Sequence, residues 1–360
     1  MAMTLGLLSS RAQSLDEGAA SVVEAEGERP WNVVVVLHRE SVEQALQGLA
    51  AIRAASEAPL VVDLVVNGRH DLALALAKVL PDALPMASEC TLRLWSIQVG
   101  DKANAWNEYV HRLWEGSGPA FFVDGYVRVR RDALARLAVR LARTPSALAA
   151  AAVPTQGRSA ALLRAAMIRD GGLHGNLFAL SERTLLGLRE RAFRLPLGLY
   201  RVDATLGAAL SFGLDPTTQQ WQPQSRISVV SDASWDIAPS FWWRWGDLRA
   251  TFKRRIRQAQ GALENRAVRD RFAEQRQPIG SLPSSVFELV AEWRKGHTGE
   301  YRRLVLSRPT VAMAWRRLQS QREQPWRPAA LEPQLVGRWS GVTDGAAGRR
   351  TVSPTRTASN

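Results

Sequence analysis

The sequence predicts an α/β fold with a mainly parallel sheet and a basic, helical C-terminal extension. In its first third, short apolar runs rich in β-branched residues alternate with segments whose apolar residues recur at helical spacing. Strands that are connected by helices in this way form right-handed crossovers and lie parallel. The chain has 360 residues, 46% of them hydrophobic, and is long enough to bury a sizeable core.

The first strand is predicted where the apolar run is most continuous. Trp31–Leu37 has polar character only at Asn32, as expected of a strand buried on both faces. Helices and strands then alternate along the chain: helix 41–55, strand 60–66, helix 71–80, strand 92–97, helix 102–114 and strand 120–123.

The rest of the chain is less regular. Further elements are predicted as helices over 132–143 and 203–212, strands over 147–153, 171–179 and 226–230, and a long basic helix over 247–272. Compositional changes divide the chain into a loose, acidic leader (1–30), a main domain (31–265), a basic helical extension (266–330) and a disordered tail rich in Gly, Thr, Ser, Pro and Arg (331–360).

The net charge of +13 is concentrated in the last third of the chain. Residues 244–327 contain 19 Lys or Arg against 8 Asp or Glu, a balance that is compatible with a nucleic-acid-binding surface. The sequence contains no helix-turn-helix pattern, zinc-ligand pattern or RNA-binding signature, and Cys90 is its one cysteine. We therefore expect no specific nucleic-acid partner and rank that function last.

The sequence has no run of 18 apolar residues and no secretory signal in its first ten residues. We therefore expect a cytoplasmic protein. The aromatic run Phe241–Trp245, followed by the basic segment Lys253–Arg257, is compatible with two arrangements. It forms either a cluster packed inside the protein or a peripheral contact with the inner face of the membrane.

Parallel α/β sheets bind ligands beyond the carboxyl ends of their strands. The residues that follow the first four predicted strands are polar, at 38–40, 67–71, 98–102 and 124–126. The glycine patterns of a dinucleotide-binding turn and of a P-loop do not occur in the sequence. A ligand site of another kind is therefore predicted at this edge.

Several of these segments resemble, in order, the motifs of family 2 glycosyltransferases. Val65–Asp71 is similar to the family's Val-Asp-Asp-Gly-Ser-Thr-Asp, and Gly100–Asn107 to its Gly-Asn-Lys-Ala-x-Ala-x-Asn. Ala120–Tyr126 stands where the family has an apolar strand followed by Asp-x-Asp, and Gly171–Ala179 resembles the strand beneath the acceptor site.

Two further segments complete the resemblance, which covers residues 31–265. Arg201–Asp203 takes the place of the family's Glu-Asp pair, and Arg255–Gly261 resembles its Gln-x-x-Arg-Trp helix. The resemblance implies a Rossmann-like sheet of the nucleotide-sugar transferase type. It also implies an inverting, hexosyltransferase-like enzyme that moves a sugar from a nucleotide-diphosphate donor to the hydroxyl group of a glycan, a lipid-linked molecule or a small molecule.

Such a transfer needs a base for the acceptor hydroxyl and neutralisation of the leaving diphosphate. The resemblance implies catalytic roles for Asp203, as the general base, and for Asp124. It implies acceptor binding by His174, which is also a second option for the base. The residues implied in donor binding are polar or charged: Asn67, Asp71, Lys102 and Arg257.

Each of these residues also has a purely structural interpretation. Asn67 precedes a glycine, which is typical of a turn, and Asp71 and Asp203 stand where they would cap a helix. The two donor-binding cations fit a solvated surface, and His174 fits a structural histidine in an apolar strand. Both interpretations stay open, because a functional role and a structural role call for the same polar residue at each of these positions.

Asp124 is the predicted ligand of a divalent metal ion, Mg²⁺ or Mn²⁺. Tyr126 replaces the second carboxylate of the Asp-x-Asp pattern, and a neutral phenol is a poor ligand for such an ion. Three outcomes stay open. Asp203 or a diphosphate oxygen completes the metal shell, or cations such as Lys102 and Arg128 replace the metal, or activity is lost.

Gln258, which stands where the family has tryptophan, is a second departure from the family's pattern. Because of both departures, a second class of function stays open, namely a non-catalytic protein that binds a nucleotide sugar or a glycan on the same fold. A basic nucleic-acid-binding protein is the third and last alternative.

Overall fold

The computed structural model describes residues 30–56, 58–83, 90–156, 160–237, 247–322 and 327–341. Within these ranges one sheet contains the strands β1 (Trp31–Leu37), β2 (Leu60–Asn67), β3 (Cys90–Ile97), β4 (Ala120–Asp124), β5 (Val127–Val129), β6 (Ala149–Pro154), β7 (Leu177–Leu180), β8 (Ile227–Ile237) and β9 (Gln334–Ser340). The α-helices are α1 (Val42–Ala54), α2 (His70–Ala83), α3 (Lys102–Glu108), α4 (Ala133–Arg143), α5 (Ala160–Asp170), α6 (Glu182–Glu190), α7 (Val202–Ser211), α8 (Pro223–Arg226), α9 (Asp247–Arg269), α10 (Val286–Gly296), α11 (Thr298–Ser307), α12 (Thr310–Arg322) and α13 (Pro328–Leu331). The predicted α/β class is thus confirmed.

The sheet is mixed, so the prediction of a mainly parallel sheet is wrong. The strand order is β5-β8-β6-β7-β4-β1-β2-β3-β9. β1 pairs in parallel with β2 and β4, β2 with β3, and β6 with β8. In contrast, β5, β7 and β9 pair antiparallel with their neighbours. The loop before β7 enters the sheet at the edge where β4 ends, and a strand that begins at that edge runs antiparallel to β4.

Most predicted elements of the first half occur within a few residues of their predicted bounds. The predicted helix 102–114 is α-helical only as far as Glu108 and continues as a π-helical turn, Tyr109–Leu113. The predicted strand 171–179 is a strand only at β7, because residues 171–176 form the loop that leads into it. This loop and the start of α3 both contribute to the site described below.

Helices cover both faces of the sheet, and each face has its own hydrophobic core. One core packs the π-helical turn and helices α6, α7, α9, α10 and α12 against the sheet around Tyr109 and Phe122. The other packs α1, α2 and α4 against the opposite face through Leu49, Leu76 and Leu137. The strands between the two layers are therefore buried on both sides.

The C-terminal region is helical, as predicted, and it shares the first core through Leu263, Trp293 and Leu318. Helix α9 runs through residue 265, so the boundary predicted at that residue falls inside a helix. Of the helices that the structure describes, none has the length and apolar character needed to cross a bilayer.

The predicted disordered tail does not hold for residues 334–340. These residues form β9, which pairs with the free edge of β3 and packs Trp339 against the second core. Two further predictions lie outside the described residues: the aromatic run Phe241–Trp245, and the acidic leader (1–30) apart from Pro30.

A buried ion pair crosses the centre of the parallel strands. Asp63 on β2 and Arg93 on β3 occupy paired positions, and two guanidinium nitrogens lie 2.7 Å from the two carboxylate oxygens. Trp95 donates to Asp63 over 2.7 Å, and Arg93 also donates to the carbonyl oxygen of Leu113 over 3.2 Å. Because Asp63 is fully buried, its charge is compensated by these three donors rather than by water.

Replacing Arg93 with leucine should lower the free energy of unfolding by about 3–5 kcal/mol, because it leaves the Asp63 carboxylate buried without its cation. Replacing both partners with leucine should recover a large part of this loss, since an apolar pair leaves no charge uncompensated. Urea-induced unfolding measures both effects. Arg136→Leu removes an exposed ion pair with Asp232 and should cost less than about 1 kcal/mol. Equal losses for Arg93→Leu and Arg136→Leu would contradict the assignment.

Candidate functional site

A pocket opens at the edge of the sheet where β1 and β4 end. The pocket is small, and the side chains of Lys102, Asp124 and Asp203 meet at it together with Gly175. Its apolar floor is formed by Val34, Val36, Trp106, Phe122, Val123, Phe178 and Val202. The structure therefore brings three of the predicted site residues into one pocket.

Asp124 is the last residue of β4 and is only 9% exposed. A Cβ atom at Gly125 would lie 2.6 Å from a methyl carbon of Leu37 and 2.9 Å from the carbonyl oxygen of Val36, so only glycine allows this close approach to β1. The backbone N–H of Asp124 donates to the carbonyl oxygen of Asn176 over 3.1 Å. The loop before β7 is thereby attached to the end of β4.

Both carboxylate oxygens of Asp124 have a partner. Lys102 Nζ lies 2.5 Å from Oδ1, and the Tyr126 hydroxyl donates to Oδ2 over 3.1 Å. The same hydroxyl lies 2.9 Å from the amide oxygen of Asn176. Burial and the carboxylates of Asp124 and Asp203 raise the pKa of Tyr126, so its hydroxyl stays protonated and acts as a donor.

Asp203 lies in the first turn of α7, but it does not cap that helix. Arg201 occupies the N-cap position, and no side chain caps the helix through a hydrogen bond. Asp203 Oδ2 instead accepts from the backbone N–H of Gly175 over 3.3 Å. A Cβ atom at Gly175 would lie 3.4 Å from Asp203 Cβ and 3.6 Å from Lys102 Nζ, which shows how closely the three residues meet.

His174 lies beside this cluster and is held by structural contacts. Its ring stacks on Trp235 with 5.3 Å between centroids, and its Nδ1 accepts from the backbone N–H of Asn176 over 3.4 Å. Burial lowers the pKa of His174, although the charges of Asp203 and Asp124 oppose that shift. The imidazole is therefore neutral near pH 7, and acceptor binding by His174 stays a prediction.

Asn67, one of the predicted donor-binding residues, is buried and does not line the pocket. Its side-chain oxygen accepts from the backbone N–H of Asp101 over 3.1 Å, and the Asp101 carboxylate accepts from Gly198 N–H over 2.5 Å. These bonds connect the end of β2 to the start of α3 and to the loop before α7. Asn67 therefore positions the two elements that carry Lys102 and Asp203.

Asp71 lies at the surface, outside the lining of the pocket. It forms a bidentate ion pair with Arg69, which lowers the pKa of Asp71 to about 2, and its side chain is 68% exposed. The structure gives this aspartate a local partner, so its donor-binding role stays a prediction.

Arg257 and Arg201 both have unsatisfied donors. The Nε atom of each is buried and has no hydrogen-bond partner among the described residues. Gly261 lies one helical turn after Arg257 on α9, and a Cβ atom there would lie 2.9 Å from Arg201 Nε. Arg201 Nε thus packs against α9. Neither arginine lines the pocket, so donor binding by Arg257 stays a prediction.

The loop that leads to Asp203 is fixed by a buried carboxylate on α9. Glu264 is fully buried and accepts from the backbone N–H groups of Tyr200, over 3.0 Å, and Arg201, over 2.8 Å. Gln260 donates to Glu264 over 2.8 Å and to the carbonyl oxygen of Gly198 over 3.2 Å. Burial raises the pKa of Glu264 to about 7.

Three residues of the site were not singled out from the sequence. Asp101 and Asn176 lie inside segments that resemble family motifs, so a closer inspection of the polar residues in those segments could have found them. Glu264 has no such signal, because its role depends on where α9 packs against the loop before α7.

The donor set at Asp124 does not fit Mg²⁺ or Mn²⁺. Those ions need several hard oxygen ligands, whereas one oxygen of Asp124 faces the Lys102 ammonium and the other accepts a hydrogen bond from the Tyr126 hydroxyl. Among the described residues, the one group of three acidic or histidine side chains close enough to share an ion is Asp270, Glu274 and His297. That group does not line the pocket.

The Asp270 group also has contacts of its own. His297 Nε2 lies 3.5 Å from one oxygen of Asp270, and Gln275 donates to the other over 2.6 Å. Their ligand atoms all lie within 4.8 Å of one another, so the group is a possible acidic and histidine metal site.

Comparisons with known proteins gave weak structural likenesses only. No protein-family model matches the sequence, and no curated protein matches it. A crystal structure of GalNAc-T7 with UDP, GalNAc and Mn²⁺ aligns with a TM-score of 0.39 and 12% identity, over 75% of this chain and 55% of that one. A crystal structure of a mycobacterial protein aligns with a TM-score of 0.41 and 14% identity, over 68% of this chain and 76% of that one. This chain thus spans about half the length of the GalNAc-T7 chain.

Glu264→Gln should change how stability depends on pH. The folded-state pKa of about 7 lies above the ordinary value of 4.5, so the folded state holds this proton more tightly than the unfolded state does. Wild-type stability should therefore fall, through this group, as the pH rises from about 4.5 to about 7. The variant lacks this loss, and relative to it the wild type should lose up to about 3 kcal/mol.

Urea-induced unfolding at pH 5 and pH 8 measures this difference. Glu190→Gln, at an exposed position next to Arg191, is the matched control and should follow the wild type. If Glu264→Gln and the wild type show the same pH dependence, the Glu264 carboxylate does not titrate in this range.

Proposed function

We propose that this protein is a glycosyltransferase that takes a sugar from a nucleotide-diphosphate donor and transfers it to an acceptor hydroxyl with inversion. The observation that carries the proposal is the meeting of Lys102, Asp124 and Asp203 in one pocket at the carboxyl ends of β1 and β4. These are positions to which the resemblance to family 2 glycosyltransferases assigns donor binding and catalysis.

Asp203 serves as the general base in this proposal. Its carboxylate lines the pocket, and the N–H of Gly175 holds one of its oxygens. It takes the proton of the acceptor hydroxyl while the acceptor oxygen bonds to the anomeric carbon. The bond from that carbon to the diphosphate oxygen breaks, and the nucleoside diphosphate leaves with the electron pair.

Lys102, which lines the pocket, stabilises the leaving diphosphate, with Arg201 and Arg257 as further cations outside the lining. The Lys102 side chain is 40% exposed. Its ammonium can therefore leave the Asp124 carboxylate and bind a phosphate oxygen of the donor. Arg201 and Arg257 have buried Nε donors without a partner among the described residues. Cations that already face the position where negative charge develops lower the barrier of such a transfer. In this scheme Asp124 holds Lys102 in place before the donor arrives.

A non-catalytic protein that binds a nucleotide sugar or a glycan is the second candidate. The observation that favours it is that both oxygens of the Asp124 carboxylate already have a partner. Lys102 pairs with one oxygen, and the Tyr126 hydroxyl bonds to the other. The acceptor, the cytoplasmic location and the contact with the inner face of a membrane stay predictions.

Asp203→Asn should separate catalysis from binding. The amide keeps the shape of the carboxylate but cannot accept the acceptor proton, so transfer should fall by about 100-fold or more. Donor binding should stay within a few-fold of wild type, because base catalysis acts on the transition state. Isothermal titration with nucleotide sugars and a transfer assay on the sugars that bind measure the two quantities.

Asp170→Asn is the matched control, since Asp170 is exposed and paired with its neighbour Arg169. It should leave both binding and transfer unchanged. If Asp203→Asn abolishes donor binding while turnover at saturation stays normal, Asp203 binds the donor and is not the base. Donor binding by the wild type without transfer to any acceptor would favour the non-catalytic candidate.

A further inference from the structure

We propose that Lys102 takes the place of a divalent metal ion, so that this protein binds the diphosphate of its donor without metal. The inference rests on the proposed function, because it concerns the same pocket and the same ligand. It follows from the partners of Asp124, from the residue at position 126 and from the distribution of the other carboxylates.

The first argument is the geometry of the ion pair. Lys102 Nζ lies 2.5 Å from Asp124 Oδ1, and the Asp124 side chain is only 12% exposed. A charge-assisted bond at that burial satisfies the carboxylate without a metal. A divalent ion at Oδ1 would have to displace the ammonium, which would leave that cation next to another positive charge.

The second argument is the residue that replaces the second carboxylate. The Tyr126 hydroxyl is placed between two oxygen acceptors, 3.1 Å from Asp124 Oδ2 and 2.9 Å from the amide oxygen of Asn176. The hydroxyl has one hydrogen atom to share between these two acceptors, and it stands beside Asp124 Oδ2 as a neutral group. A metal ion would meet a proton donor where the Asp-x-Asp pattern supplies an anionic ligand.

The third argument concerns the other carboxylates near the pocket. Asp203 Oδ2 accepts from Gly175 N–H, and Glu40 Oε2 accepts from the backbone N–H groups of His38 and Arg39 over 2.6 and 2.9 Å. Within the described part of the chain, no three acidic or histidine side chains around the pocket come close enough to share an ion.

The cations already present can neutralise the diphosphate instead. The Lys102 ammonium lines the pocket and needs to move only from one oxygen anion to another. Arg201 lies in the loop directly before Val202 and Asp203, which line the same pocket, and its buried Nε has no partner among the described residues. Arg128, the other cation considered from the sequence, is engaged with Gln47 on α1 and does not line the pocket.

Isothermal titration of the full-length protein tests the proposal with UDP, GDP, ADP and dTDP as probes, in EDTA and in Mn²⁺. The nucleotide that binds should do so in EDTA with a Kd within about threefold of the Kd in Mn²⁺. Lys102→Met should weaken that binding by about 10- to 100-fold in EDTA, the effect of losing one hydrogen bond to a charged group. Lys78→Met, at an exposed lysine on α2, is the matched control and should bind as the wild type does.

A second variant tests the exclusion of metal from the opposite direction, by restoring a metal site. Lys102→Met combined with Tyr126→Asp restores two carboxylates and removes the internal cation. This double variant should bind Mn²⁺ in the presence of the nucleotide, seen as loss of the free-ion signal in electron paramagnetic resonance. The wild type should remove less of the free-ion signal than the double variant, because it offers the ion the nucleotide and the Asp270 group but no site at Asp124.

The outcomes separate this inference from the proposed function. Nucleotide binding by the wild type that is lost in EDTA and restored by Mn²⁺ would overturn the metal-free site but keep the proposed function. No binding of any of the four nucleotides in either buffer would overturn the proposed function and the inference with it. Unchanged binding by a folded Lys102→Met variant would remove Lys102 from the site.

Discussion

The need to compensate a carboxylate at the end of a buried strand organises the site of this protein. Six of the nine strands, β1 to β4, β6 and β8, point in one direction, so their carboxyl ends meet at one edge. Asp124 ends β4 between two helical layers, where water reaches little of it. An ammonium, a phenol and a backbone carbonyl that accepts from its N–H group collect around it. The ammonium comes from α3, the phenol from the turn after β4 and the carbonyl from the loop before β7. The contacts around Asp124 therefore fix the relative positions of α3, β4 and that loop.

The sequence predicts the first four strands because their apolar runs are continuous and the helices between them have a clear period. An apolar run does not reveal whether its strand pairs in parallel or antiparallel with its neighbours. β7 and β9 are as compatible with a parallel as with an antiparallel neighbour, and their direction depends on where the preceding segment leaves the rest of the fold. β9 is flanked by polar and small residues, so its surroundings in the sequence indicate a tail. Only the unpaired backbone of β3 and the packing of Trp339 make it a strand.

The site shows the same division between local and long-range information. Lys102 and Asp124 could be predicted because they follow a glycine and a buried strand at positions where parallel strands present their ends. Asp71 stands at a similar position in the sequence. In the structure it lies at the surface and pairs with Arg69, two residues earlier. Glu264 is 61 residues beyond Asp203 in the chain and acts on the loop before it. No spacing rule connects the two, because the bonds from Glu264 to the loop before Asp203 depend on how α9 packs against α7.

The pairing of β9 with β3 also bears on the association of this protein with itself. β3 would otherwise be an outer strand with free N–H and C=O groups and apolar residues such as Leu92 and Leu94, and an edge of that kind templates the addition of a strand from another molecule. A segment that lies more than 230 residues away in the sequence occupies this edge instead. Proteolytic trimming ahead of Gln334 would therefore do more than shorten the chain. It would expose the apolar edge of β3 in place of β9, an edge strand of more polar sequence, and favour oligomers or aggregates.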